Sequence, residues 1–329
     1  MFRSLRSPLL CLVMVAGACS DDDDNTEGSG SVSISLDAEA TIIDGIEAGD
    51  DIEEIADGWR VDFDKYIVAI GNIELELATD ETSAAHADDV YLVDLATLDY
   101  QGLPLWELED LAAAEWQIHY STVGAGDGAV ERHQSVSEAD LAAMVDADAT
   151  YLLAGTIQQT DGLSCPPASL AEPGDLSSTE TRLGDPCYSN PNVSFSWLLP
   201  AEIEFGPCEL DGMEGFSIPE GGSTNIAITI HGDHIFFNGF PTGSEGGVTR
   251  LAQWLADCDL NLDGTVTQEE LEQIAPSDLH ELDSRYQLSS PFDELPLDTM
   301  WDYVRAQLMT QGHFQGEGEC DFGGEHHEH

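Results

Sequence analysis

Positive charge is nearly missing from this chain. It carries 9 lysines and arginines against 65 aspartates and glutamates, for a net charge of −56, and Lys65 is the only lysine. Such a surface repels nucleic acid and anionic headgroups, so no nucleic-acid partner is expected. It also attracts cations loosely everywhere, so a specific cation site has to be argued from spacing rather than from acid content. Solubility in a salty medium accounts for most of the acid. Thiol motifs are missing as well: the cysteines include no C-x-x-C pair, which argues against a redox motif or a thiolate zinc site. There is no G-x-S-x-G, no H-E-x-x-H, no P-loop and no Rossmann fingerprint. With acids everywhere, a catalytic carboxylate pair has no signature of its own. An enzyme is therefore not the expected reading. No internal repeat stands out, and no apolar run is long enough to span a bilayer.

What is present begins with a targeting pattern. Arg3 and Arg6 form a basic start, followed by a short apolar run at 8–18. Ala16-Gly17-Ala18-Cys19 then resembles a bacterial lipobox, with Ala16 where Leu or Val is usual. The resemblance implies a lipoprotein signal peptide over 1–19, cleavage before Cys19, and lipid carried on that cysteine. The expected location is the cell envelope, lipid-anchored to a bacterial membrane on its periplasmic or surface face. A plain secretory signal would give the same exported fate. Residues 20–31 are acidic and rich in Gly and Ser, and are expected to form a disordered tether.

From Val32 the pattern becomes that of strands. Val32, Ile34 and Leu36 alternate; so do Trp59, Val61 and Phe63, then Tyr66, Val68 and Ile70, then Ile73, Leu75 and Leu77. Further strands are expected at 90–95, 116–120, 150–157, 193–199 and 225–231. One helix is expected between Gly124 and Asp148, started by Ser137 and facing inward with Leu141, Met144 and Val145. Many short strands with polar turns predict a mainly β fold, an antiparallel β-sandwich over 32–243. A helical region with a tail is expected over 244–329. Its last helix lies near 297–311, with Leu297, Trp301, Val304 and Leu308 on one face and Gly312 as its cap.

The most informative stretch lies in that region. Asp259, Asn261 and Asp263 alternate oxygen side chains, Gly264 permits a sharp turn, Val266 is apolar, and Glu270 closes the run. Val248, Leu251, Trp254, Leu255 and Cys258 before it, and Leu271 and Ile274 after it, fall at helical spacing until Pro276. The stretch resembles the EF-hand family over roughly 247–275. That resemblance implies one Ca2+ held by the side chains of Asp259, Asn261, Asp263 and Glu270. Thr265 would add its backbone carbonyl, and Thr267 would act through a water. No second such loop is visible, which also argues against a dockerin, so a structural ion is expected. On this reading Glu270→Gln weakens calcium binding and leaves the calcium-free protein nearly unchanged. An acidic turn could match the pattern by chance.

Five cysteines remain beyond Cys11 and Cys19. Export favours disulfides, and the odd count leaves one over. Cys165 and Cys187 flank a long Pro- and Gly-rich segment and are expected to be bridged. Cys258 lies on an apolar helix face and is expected to be a buried free thiol, which leaves Cys208 with Cys320. His231 and His234 stand three apart around Gly232 and could reach one transition metal, with His119 or His313 as a further ligand. A tight turn with hydrogen-bonded histidines explains the same residues. The H-x-D-H portion is similar to half of the metallo-β-lactamase motif, but Thr229 stands where its first histidine belongs. His326, His327 and His329 form a small metal-friendly tract. The W-x-V-x-F-D-K-Y strand at 59–66, the H-G-D-H turn and the single calcium loop together resemble uncharacterised EF-hand-bearing exported bacterial lipoproteins. The leading expectation is a lipid-anchored calcium-binding protein acting as a binding or structural module. A copper- or zinc-binding protein using His231 and His234 comes next, and a metal-dependent hydrolase third.

Overall fold

The computed structural model describes residues 28–126, 130–239, 248–282, 285–292 and 295–323. Cys19, most of the expected tether, residues 243 and 244 at the expected domain boundary, and the tail histidines His326, His327 and His329 lie outside the described residues. The chain is mainly β, with several sheets and a small helical region. One sheet has four strands in the order Gly312–Phe314, Ser223–Ile230, Ser29–Ala38 and Leu103–Ala112. Val32, Ile34 and Leu36 point into the core, as their alternation predicts. The strand begins at Ser29, inside the segment expected as tether. Backbone pairing carries it there, with Gly30 opposite Leu111, and needs no apolar side chains.

The two central strands of this sheet run parallel, with Ile34 beside Ile226, so the pairing is not antiparallel throughout as expected. A period of two says which face a residue takes and nothing about strand direction. Parallel neighbours need a long crossover, and most of the chain lies between these two.

The larger sheet is organised around one strand, Arg60–Leu77. The sequence predicts three strands here, separated at Asp64-Lys65 and Gly71-Asn72. Both breaks are bulges instead. The register shifts between Phe63 and Lys65 and again between Gly71 and Glu74, where Asn72 has φ 54°. A bulge absorbs an extra residue without ending the strand, and it bends the strand locally. The first half pairs with Tyr151–Gln158 and the second with Glu115–Thr122. Ile67, Val68, Ala69 and Ile70 are all buried because both faces are covered there. Val68 and Ile70 enter the main core; Ile67 and Ala69 meet Met144 and Leu152 on the other side.

Helix Glu138–Ala147 covers that second face. Ser137 caps it by accepting from the Asp140 N–H. Met144 is buried, but Val145, expected inward, is 42% exposed. Only the stripe through Leu141 and Met144 reaches this small cluster.

The helical region is built of short pieces: Gln253–Asp257, Gln268–Leu271, Pro276–Leu282 and Met300–Leu308. Pro276 does not merely stop a helix. It opens the next one, where proline's missing N–H costs nothing. Trp301, Val304 and Leu308 are buried as expected. Gly312 is not a cap; it starts the strand Gly312–Phe314. A Cβ there would sit 2.5 Å from the Tyr120 hydroxyl and 2.8 Å from the Phe205 ring, so close packing is the reason for glycine. One buried cluster runs from Val32 to Phe322 and includes side chains of both sheets and of the helical region. Two disulfides, Cys165–Cys187 and Cys208–Cys320, are present, and Cys258 is buried and free.

Candidate metal centres

The loop at 259–270 is held by its surroundings before any ion is considered. Helix Gln253–Asp257 enters it. Ala252, at the helix start, offers no capping side chain, and Asp57 does the work from elsewhere in the chain: its Oδ2 accepts from the N–H groups of Ala252 (3.0 Å) and Gln253 (2.8 Å). Leu251, Trp254, Leu255 and Cys258 are fully buried, whereas Val248 is only half-buried. Leu262 (φ 58°) and Gly264 (φ 84°) turn the chain sharply. Thr265–Val266 then forms a short strand parallel to Asn192–Leu199, with Val266 beside Phe195. Ser194 N–H donates to Gly264 O at 2.9 Å, and the Trp197 indole donates to Val266 O at 2.9 Å. The central sheet thus takes the strand segment of this lone loop.

The first and last acids of the loop, Asp259 and Glu270, face inward, whereas Asp263 is exposed. Asp259 is fully buried; its Oδ2 accepts from the Asn190 side chain at 2.7 Å and Gly264 N–H at 2.9 Å, and its Oδ1 from Asp263 N–H at 3.1 Å. Asn261 Oδ1 accepts from Asp263 N–H at 2.8 Å, and Asp263 Oδ1 from Thr265 N–H at 2.9 Å. Glu270 is buried too. Its Oε1 accepts from Leu260 N–H at 3.0 Å and its Oε2 from Thr267 N–H and hydroxyl, both at 2.9 Å. Thr267, expected to act through a water, has its hydroxyl engaged in the capping box that starts helix Gln268–Leu271. Burial pushes the Asp259 carboxyl up. N–H donation from Gly264 and Asn190 opposes that, and the charges of Glu270 and Asp263 reinforce it. The donors are all oxygens, they are mainly anionic, and they repel one another. Such a set fits a hard divalent cation, and Asp259 Oδ1 and both Asp263 oxygens, each accepting one N–H, keep a lone pair for it.

Asn190 is a residue that sequence reasoning missed. It joins Asp259 to Ser164, at 2.7 and 2.9 Å, and so ties the loop to the disulfide-closed segment. Asp257 makes a second tie, accepting from Cys165 N–H at 2.8 Å and pairing with Arg182. No periodicity or motif marks Asn190; only folding brings it within reach. No family model, curated protein or solved structure matches the chain. The two centres therefore rest on their geometry.

The second centre is made of histidines. Strand Ser223–Ile230 ends just before His231, and a single turn of 3₁₀ helix, His234–Phe236, follows Gly232. Strand Gly312–Phe314 runs antiparallel beside it, placing His313 opposite Thr229. His231, His234 and His313 each offer a nitrogen within 4.8 Å of the others. His119 is not part of this group; it lies 3.9 Å from both Glu76 and Glu204 on another sheet. Thr229 accepts from Gly316 N–H at 2.9 Å and is a structural residue here. Asp233 pairs with Arg250, with Nε to Oδ2 at 2.6 Å.

Proposed function

We propose that this chain is an exported, lipid-anchored calcium-binding protein in which the loop at 259–270 holds one structural Ca2+. Asp259, Asn261, Asp263 and Glu270 are the side-chain ligands, and Thr265 supplies its carbonyl. The observation that carries this reading is the buried, mutually repelling Asp259 and Glu270 in a loop whose charged residues are all acidic. A divalent ion cancels that repulsion and fixes the angle between helices Gln253–Asp257 and Gln268–Leu271. The docked Thr265–Val266 strand favours a structural ion over a sensor, because the loop cannot open without breaking its pairing with the central sheet. The two main sheets share one core, which supports a sandwich as the finer description of the fold. The role that follows is that of a binding or structural module at the cell envelope, not a catalyst. Cys19 is its anchor.

Titration calorimetry on the calcium-free protein tests the ion: one equivalent is expected, and no heat of binding refutes the site. Cell fractionation tests the anchor. Cys19→Ser should move the protein from membranes to the soluble fraction, and a mutant that still sediments like wild type overturns the lipoprotein reading.

A further inference from the structure

We infer that His231, His234 and His313 form a second, separate site for a transition ion of imidazole preference, such as zinc or copper. It shares no residue with the calcium loop. The two ions differ in chemistry: calcium takes hard oxygens, whereas three imidazoles without thiolate select a borderline first-row ion.

The hydrogen bonds around the rings decide which nitrogens can ligate. The Thr310 hydroxyl donates its one hydrogen to Gln307 O at 2.8 Å, so toward His234 Nδ1, 2.9 Å away, it can only accept. His234 therefore carries its hydrogen on Nδ1, and its Nε2 has the lone pair. His231 Nε2 lies 3.0 Å from Gly316 O, a pure acceptor, so that nitrogen carries the hydrogen. Its Nδ1 then faces Glu39 Oε2 at 3.4 Å. Two acceptors facing each other need a cation between them, a proton or a metal. His313 Nδ1 is buried with no hydrogen-bond partner. Each ring nitrogen that bonds outward thus anchors the ring, as the outer partners of metal-binding histidines do.

The environment favours the ligating form. Burial pushes the His234 and His313 imidazoles well below their usual range, and the neighbouring histidines push the same way. Glu39 beside His231 adds negative charge, and with Glu317 and His231 it forms an overlapping group of potential ligands. The rings of His231 and His313 stack at 3.9 Å, and His234 lies edge-on to His313 at 5.3 Å. Tetrahedral coordination at Zn–N of about 2.1 Å needs nitrogens roughly 3.4 Å apart, so an ion must draw the three rings together and open the His231–His313 stack.

The test uses the full-length, calcium-saturated protein with His326, His327 and His329 changed to alanine, so that the tail cannot compete. Zn2+ alone and Co2+ alone are the probes. One equivalent of Zn2+ should bind, and bound Co2+ should give the strong visible absorption of a tetrahedral site. His234→Gln and His313→Gln should each weaken Zn2+ binding at least about tenfold. Asp263→Asn should leave Zn2+ binding unchanged. Equal Zn2+ affinity in the histidine variants overturns the inference. If those variants do not fold, X-ray absorption on the Zn2+ form of the tail variant decides: three imidazoles support the site, and an all-oxygen shell refutes it. No binding of either ion overturns it as well.

Discussion

Asp263→Asn is the substitution that isolates the proposed calcium site. Asp263 is exposed; its Oδ1 accepts from Thr265 N–H, a bond that an asparagine oxygen can keep, and its Oδ2 accepts from the Asn261 amide at 3.2 Å, a partner that water replaces at this surface position. Losing its charge removes one of the repulsions that push up the Asp259 carboxyl. The calcium-free protein should therefore be unharmed or slightly more stable. With calcium the outcome reverses. With a Kd of about 10⁻⁴ to 10⁻³ M, the proposed site contributes about 1.4–2.7 kcal/mol in about 10 mM calcium. At about 2.1 cal/mol/K per residue over roughly 300 ordered residues, that raises Tm by about 2–4 °C. A site weakened about tenfold loses up to about 1.4 kcal/mol of this, so the variant should keep about half of the rise or less. Thermal unfolding in chelator and in calcium, at matched ionic strength, measures both numbers. General screening acts almost equally on the two proteins, because a single charge in a net of −56 changes little. An equal calcium-dependent rise in wild type and variant would refute the reasoning.

Glu270→Gln is less suitable, and the expectation that it spares the calcium-free protein needs correcting. Both Glu270 oxygens accept from backbone N–H groups in a buried position. An amide would turn one of these contacts into donor against donor, which costs about 1–3 kcal/mol even without calcium.

Three further outcomes follow from packing and charge. Burial pushes the Asp57 carboxyl up, opposed by N–H donation from Gln253 and Ala252; such a group contributes stability below its unfolded pKa of about 3.9 and loses it as pH rises through the folded value. Asp57→Asn should thus match wild type in acid and become progressively more stable than it toward neutral pH in urea unfolding, and parallel pH curves would contradict this. Cys208–Cys320 closes a longer loop (sequence separation 112) than Cys165–Cys187 (22), so Ser substitution of the first pair should cost roughly 4–5 kcal/mol and of the second roughly 3, on the loop-entropy model. The reverse order in denaturant unfolding would count against that model. Gly312→Ala should destabilise by about 1–3 kcal/mol, because its Cβ meets Tyr120 and Phe205; a change below about 0.5 kcal/mol would mean that the two rings yield freely.

What the sequence determined by itself is what is local or scarce. The alternation of Val32, Ile34 and Leu36 places one face of a strand whatever its neighbours are. The oxygens from Asp259 to Glu270 lie within a dozen residues, so chain geometry alone brings them to one loop. Cysteines are few, and placing Cys258 on an apolar face left a pairing that both disulfides bear out. Tertiary structure alone decided everything that depends on distant segments meeting. Asp64-Lys65 and Gly71-Asn72 read as turns because a bulge and a turn use the same residue types, and only the pairing of Arg60–Leu77 with strands on either side distinguishes them. The parallel match of Ile34 with Ile226 is equally silent, since burial fixes the face and not the direction. His313 and Asn190 carry no local mark. His313 reaches the histidines only because its strand pairs with Ser223–Ile230, and Asn190 reaches Asp259 only because the segment around the Cys165–Cys187 bridge folds onto the loop at 259–270. Backbone sterics and side-chain periodicity act over a few residues, whereas these contacts are set by how the whole apolar surface is buried.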